Sequence, residues 1–218
     1  MAERKRFIDV NVPTLDSEIR ILGTAQELDK KTIKLDLTRK MKGKGLTVKL
    51  RIFNKEGKLI AVPDRLELTK SYIRRIMRKR VDYVEDSFKA PCEDLRVTIK
   101  PLLITRKKVS RAVRRNLRNT TKEFLLDYIK TRKYIDVCEE ILNGNLQKTL
   151  LPKLKKVYPL SFCDIRIFET KDIEKINLEE ILLKSIKAES QEGIQEYSEE
   201  NLQKDSEEED EEEWYNRP

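Results

Sequence analysis

Charge in this sequence is sorted along the chain. Residues 171–218 carry 17 acidic and 6 basic side chains, a net of −11, whereas residues 1–170 carry 22 acidic and 41 basic, a net of +19. A body of that charge repels itself on compaction. Its fold must therefore come from apolar periodicity strong enough to overcome the repulsion, and a polyanion is its natural complement. At 218 residues the chain holds one real core and at most an appendage. Charged residues reach 39% and apolar ones 38%. Ordinary globular domains show about 25% and about 45–50%, so the excess charge must be solvated or matched by a charged partner.

Composition also excludes chemistry. The chain has no histidine, which removes imidazole acid–base catalysis, histidine metal ligation and Ser-His-Asp triads. Cys92, Cys138 and Cys163 lie far apart and never form C-x-x-C. That excludes a zinc ribbon, argues against a disulfide framework and fits a reducing compartment. No apolar run approaches the ~18 residues of a membrane span, and the charged N-terminus has no apolar stretch behind it. The expectation is a soluble, cytoplasmic protein without a membrane partner, metal or cofactor.

The first half reads as short strands. Residues 7–12 alternate apolar and polar and stop at Pro13; 18–22 and 32–37 follow; 47–53 is the clearest, with period 2 and β-branched residues. Residues 54–57 read as a hairpin loop and 58–62 as a return strand ended by Pro63. Strands in series with short turns suggest an antiparallel sheet that curls towards a barrel. A helix capped by Thr69 or Ser71 is predicted to run to Arg80, with Tyr72, Ile73, Ile76 and Met77 on one face. A strand over 95–103 follows, made irregular or placed on an edge by Pro101. A long helix spans 110–130, its apolar face formed by Val113, Leu117, Thr121, Phe124, Leu125 and Tyr128. Two more helices cover 134–142, stopped by Gly144, and 146–157, closed by Pro159. A final strand covers 161–168. Asn177-Leu178-Glu179-Glu180 resembles a capping box and opens an amphipathic helix within 171–188. Beyond it, 189–218 holds 13 acidic and 2 basic residues without a periodic face, which predicts a disordered tail that shields the basic body or aids solubility. The fold class expected is α+β: an antiparallel, barrel-like β portion, packed amphipathic helices and a disordered acidic C-terminal tail.

The strongest functional signal lies in residues 95–122. These 28 residues hold ten cations (Arg96, Lys100, Arg106, Lys107, Lys108, Arg111, Arg114, Arg115, Arg118 and Lys122) and no acid. A solvated helix face mixes signs, because opposite charges at i,i+4 stabilise it and like charges cost a few tenths of a kcal/mol. Arg111–Arg115 and Arg114–Arg118 are like pairs. The isolated chain gains nothing from them, whereas a phosphate backbone releases counterions to each cation it meets. Arg74, Arg75, Arg78, Lys79 and Arg80 repeat the logic on a shorter helix, and arginine suits bidentate phosphate contacts. Lys42 and Lys44 flank Gly43 in a basic turn too short for a P-loop. Asp82, Glu85 and Asp86 form a small acidic group. Paired carboxylates can do acid–base work or hold Mg²⁺, but neutralising and orienting nearby arginines is the simpler role. Tyr72, Tyr83, Phe88 and Tyr158 are candidates for base stacking, although single aromatics at such spacing are more often core.

The order of these segments resembles a known family. Lys34-Leu35-Asp36-Leu37-Thr38 precedes the basic turn and the strand over 47–53. Leu66-Glu67-Leu68-Thr69 leads into residues 72–80, and then come Asp82 and Asp86-Ser87-Phe88. Arg96-Val97-Thr98-Ile99-Lys100 precedes Thr105-Arg106-Lys107-Lys108 and the arginine helix. Leu154 to Leu160 leads into a strand containing Ile165-Arg166. Over about residues 4–169 this series resembles the archaeal and eukaryotic small-subunit ribosomal protein family S-three-a-e, e-S-one in unified naming, in an archaeal-like length. The N-terminal arm is short and lacks the family's tryptophan-containing basic segment, and the acidic tail does not align.

The resemblance implies a mixed α/β protein with a β-barrel-like portion, no enzymatic activity, and a structural place on the small-subunit platform near the mRNA exit. Its implied partners are small-subunit rRNA and neighbouring ribosomal proteins, with mRNA near the exit as a further candidate. It implies one rRNA-binding domain over 4–170, β-rich over 4–105 and helical over 106–158. RNA contact is carried over to residues 74–80 and 106–118, and the basic turn joins them on its charge. The expected RNA-binding set is therefore Lys42, Lys44, Arg74, Arg75, Arg78, Lys79, Arg80, Arg106, Lys107, Lys108, Arg111, Arg114, Arg115 and Arg118. The rivals are a non-ribosomal RNA-binding assembly factor or regulator, and an RNA-modifying enzyme using Asp82, Glu85 or Asp86.

Overall fold

A computed structural model describes residues 5–15, 17–55, 58–173 and 176. Among these residues nine strands and five α-helices alternate in blocks. The β-rich half contains β1 (Arg6–Val12), β2 (Ser17–Gly23), α1 (Ala25–Leu28), β3 (Thr32–Asp36), β4 (Leu46–Lys55), β5 (Lys58–Leu68), α2 (Lys70–Ile76), β6 (Tyr83–Glu85), β7 (Phe88–Pro91) and β8 (Arg96–Thr105). Then come α3 (Arg111–Lys130), α4 (Tyr134–Asn143), α5 (Asn145–Lys155) and the closing strand β9 (Leu160–Thr170). This is the α+β class expected. The amphipathic helix expected within 171–188 and the acidic tail over 189–218 lie outside the described residues, apart from 171–173 and 176.

The barrel-like expectation is corrected. The strands form one sheet ordered β2-β1-β5-β9-β8-β6, with β3 and β4 branching beside β5 and β7 beside β8. The path ends at β2 and β6 without returning, so the sheet is open. It is also mixed: β1 meets β5 in parallel at Asn11 and Ile60, while the other pairings are antiparallel. Two long strands explain the branching. One edge of β5 follows β4 along its length, and the other is shared between β1 at Ile60 and β9 at Arg65, Leu66 and Glu67. In the same way β8 follows β9 on one edge and divides the other between β7 and β6.

Of two prolines, Pro63 is absorbed into a strand it is expected to end, and Pro101 brings the irregularity expected of it. Pro63 lies inside β5, where the register against β4 shifts and Asp64 is the extra residue. Pro101 lies inside β8 at a second shift, between the residues that pair β7 and those that pair β6. A proline lacks a donor, and a bulge or a gap between partners is where none is needed. The first bulge anchors a helix: the Tyr134 hydroxyl donates to the Pro63 carbonyl at 2.9 Å, and its ring stacks on Phe168 at 5.4 Å.

The core is continuous apolar packing. Leu50, Ile52, Val97, Ile99, Leu102 and Phe168 from the sheet meet Leu125, Ile129, Val137 and Ile141 from α3 and α4. A second cluster joins Val84 and Leu103 to Leu117 of α3 and to Leu150 and Leu154 of α5. Burial raises all three thiols, Cys92 and Cys163 to about 12 and Cys138 further, so each is held neutral. The helix boundaries follow local chemistry. Ser110 caps α3 by accepting from the Val113 N–H, and Gly144, at φ 73°, supplies the left-handed stop of α4.

Candidate nucleic-acid interface

The expected basic helix over 71–80 is shorter than its charge run. Helix α2 ends at Ile76, leaving Arg78, Lys79 and Arg80 in the following segment. Extending it would set Arg74 above Arg78 and Arg75 above Lys79, like charges at i,i+4. Instead the chain unwinds at Met77, and Arg80 turns left-handed at φ 65°. Lys42, in the basic turn, is left-handed too, at φ 49°. Both loops therefore hold a cation in a conformation that costs an ordinary residue about 1–2 kcal/mol.

The basic turn is seated directly on α2. The Thr69 N–H donates to the Gly45 carbonyl at 2.9 Å. A Cβ at position 45 would lie 2.3 Å from the Thr69 hydroxyl oxygen and 2.7 Å from the Tyr72 Cβ, so only glycine permits this approach. Arg75 donates to the Gly43 carbonyl at 2.9 Å with its guanidinium 5.2 Å from the Tyr72 ring centre. Lys44 turns inward to Asp164 at 2.7 Å. Asp164 is 6% exposed and also accepts from Gln147 at 2.8 Å. Lys42 stays exposed. An open cleft of about 570 Å³ runs between turn and helix, lined by Asp36, Thr38, Arg39, Thr69, Ser71 and Arg75 among others. The Thr38 hydroxyl and N–H hold the Asp36 carboxyl below its usual range, and burial, reinforced by the Asp164 charge, raises the Tyr72 hydroxyl.

The second group of cations is assembled by Asp82. Its carbonyl accepts from the Thr105 N–H at 2.9 Å, its N–H donates to the Thr105 hydroxyl oxygen at 3.0 Å, and its carboxylate accepts from the Val109 N–H at 2.9 Å. Residues 78–80 are thereby held beside 106–108, all six exposed. The acidic group does not act on the neighbouring arginines as its sequence position suggested. Asp82 organises backbone, Glu85 accepts two hydrogen bonds from Arg166 at 2.8 Å, and Asp86 accepts from the Ser87 N–H.

Helix α3 continues the surface. Leu117, Thr121, Leu125 and Ile129 are buried, while Arg111, Arg115 and Arg118 are exposed and Arg114 is half-buried, its Nε without a hydrogen-bond partner. The first turn of α3 holds no acid. The positive end of the helix dipole therefore adds to the arginines instead of being offset. Helix α5 carries exposed Lys148 and Lys155, with Lys156 just beyond its end, and places Lys153 4.3 Å from the centre of the Phe124 ring of α3. Sequence reading missed these lysines because they are interleaved with the apolar face; their spacing on one helix was the available signal. Among the described residues, Arg74, Arg78, Lys79, Arg80, Arg106, Lys107, Lys108, Arg111, Arg115 and Arg118 form no ion pair.

Register shows how the two groups are related. Tyr83, Ile104 and Phe162 are direct cross-strand neighbours and share one sheet face, where Phe162 meets Tyr72 of α2 edge-on at 6.1 Å. Val84, Leu103 and Cys163 share the opposite face, where they pack under α3 and α5. Helices α2 and α3 thus cover opposite faces of the sheet. The basic surface bends around the β6 edge between them, with the Asp82–Thr105 clamp at the bend.

Fold and site together define an α+β protein whose open sheet carries a cationic edge without acidic partners among the described residues. The chain belongs to the ribosomal S3Ae family, whose pattern matches residues 3–172. Among curated relatives it is 30% identical to small ribosomal subunit protein eS1 of Nanoarchaeum equitans over 111 residues, covering 50% of this chain and 56% of that one. It is 27% identical to the protein of the same name from Halorubrum lacusprofundi over 101 residues (46% and 47%), and 23% identical to that of Archaeoglobus fulgidus over 106 (48% and 50%). The chain spans about half the length of the curated relatives it matches.

Proposed function

We propose that this protein is a non-enzymatic structural constituent of the small ribosomal subunit, binding and stabilising rRNA on the platform near the mRNA exit. The observation that carries the reading is the edge of ten cations without ion pairs among the described residues, backed by a body of net charge +19. Membership of the ribosomal S3Ae family and the names of the relatives support it. Residues 4–170 are the binding domain. Lys42, Arg74, Arg78, Lys79, Arg80, Arg106, Lys107, Lys108, Arg111, Arg115 and Arg118 neutralise phosphates. Lys44, Arg75 and Arg114 serve from behind, the first two by holding the basic turn against Asp164 and α2. Contacts of this kind follow the shape of the RNA rather than base identity. If six to eight phosphates are engaged, log K falls with log[salt] by roughly −4 to −7. Neighbouring ribosomal proteins, and mRNA near the exit, are the further partners, and the protein resides in the cytoplasm on the ribosome.

The test is sedimentation of a native lysate in a high-salt gradient, with the protein counted per particle by mass spectrometry. One copy per small subunit, retained through the wash, is expected. Loss to the top of the gradient, or presence on precursor particles alone, would overturn the reading in favour of an assembly factor.

A further inference from the structure

Tyr83 is out of place for a structural residue. It is 56% exposed, yet it sits in the middle of ordered structure at the start of β6. Its backbone pairs with Ile104, and its neighbour Asp82 is fastened to Thr105 and Val109 by hydrogen bonds of 2.9–3.0 Å. The ring is thus presented from a rigid base. Strand β6 ends the sheet and pairs with β8 alone among the described residues. The clamp brings cations with no ion pair among the described residues to it from two sides: Arg78, Lys79 and Arg80 before it in the chain, Arg106, Lys107 and Lys108 across the clamp. An exposed ring in such surroundings has one well-matched occupant. A phosphate needs no aromatic face and a protein partner of ordinary charge would be outmatched by the cations, but an unstacked nucleotide offers a π face and a negative backbone together.

We propose that Tyr83 is a stacking platform for an unpaired RNA base, making this edge selective for a bulged or looped strand over a continuous duplex. The inference rests on the RNA-binding reading above. It deepens that reading by adding a contact that salt does not screen. In an A-form duplex the bases are already stacked and Tyr83 finds no free face. At a bulge the flanking phosphates bind the cations while the extruded base covers the ring.

The experiment measures binding of the full chain to an RNA stem carrying an adenosine bulge and to the same stem fully paired. Tyr83→Leu keeps an apolar strand residue and removes the ring. It is expected to lose about tenfold in affinity for the bulged stem and to leave the paired stem unchanged. Tyr83→Phe is expected to match the parent on both. Tyr83→Thr, a second strand-compatible change, repeats the measurement should the Leu variant melt at a lower temperature. Equal loss on both stems, or loss on neither, would overturn the stacking role while leaving the phosphate-binding reading intact. Absence of salt-dependent binding by the parent protein to either stem would remove the RNA-binding reading itself, and the stacking role with it.

Discussion

The middle of the sheet and its β6 edge treat the same residue types in opposite ways. Away from that edge, cations have carboxylates: Arg65 reaches Glu67 at 3.0 Å and Glu169 at 3.1 Å, and Lys44 of the basic turn reaches Asp164 at 2.7 Å. At the edge, residues 78–80 and 106–108 have none among the described residues. The few acids nearby are engaged elsewhere, Asp82 with backbone and Glu85 with Arg166. Matched charge ties the strands and the basic turn together. Unmatched charge gives the described fold no stabilising pair, and under the RNA-binding reading it is available to an external anion.

The largest expected effect comes from breaking the matched side. Asp164→Ala removes a buried carboxylate that holds Lys44 and Gln147. It is expected to cost about 3 kcal/mol in denaturant unfolding, because a partly buried ammonium and an amide lose their partner together. A cost below about 1 kcal/mol would show that the matched network does not hold the fold. The unmatched side should respond in the other currency. Replacing Arg106, Arg111, Arg115 and Arg118 together by Gln is expected to leave stability within about 0.5 kcal/mol. The same variant should flatten the salt dependence of RNA binding by roughly 3 units of slope. An unchanged slope with lowered stability would invert the assignment.

The smallest effect probes the junction between the two regions. Asp82→Ala leaves every cation in place but frees Val109 and the 106–108 loop, at an expected cost of about 1–2 kcal/mol. RNA affinity should fall severalfold with the salt slope preserved, because the cations are no longer held in one arrangement. Hydrogen exchange at the Val109 amide reports the clamp directly. A changed slope would mean that Asp82 acts through charge rather than position.

Much of this was legible in the chain. The period-2 run over 47–53 became β4, Ser110 capped α3, and Gly144 stopped α4, because each signal is local and physically complete within a few residues. The acid-free run of cations was equally plain. Other features were not legible, for identifiable reasons. Strands β6 and β7, of three and four residues, are too short to show a period. Pro63 reads as a strand end until the sheet provides a bulge that spares its missing donor. The open sheet could not be told from a barrel, because closure depends on which edges meet and not on how each strand alternates.

The order of residues alone makes the body an α+β fold with a surplus of positive charge concentrated at residues 74–80 and 95–122. Periodicity and composition are properties of the chain. Which cations are left without an ion pair among the described residues is settled by packing. Lys42 and Lys44 are two residues apart and chemically identical, yet one faces solvent and the other is spent on Asp164, 120 residues away. Asp82 and Thr105 meet across 23 residues to set two basic segments side by side and Tyr83 between them. Pairing over such distances is settled by strand register and packing, which local sequence does not encode.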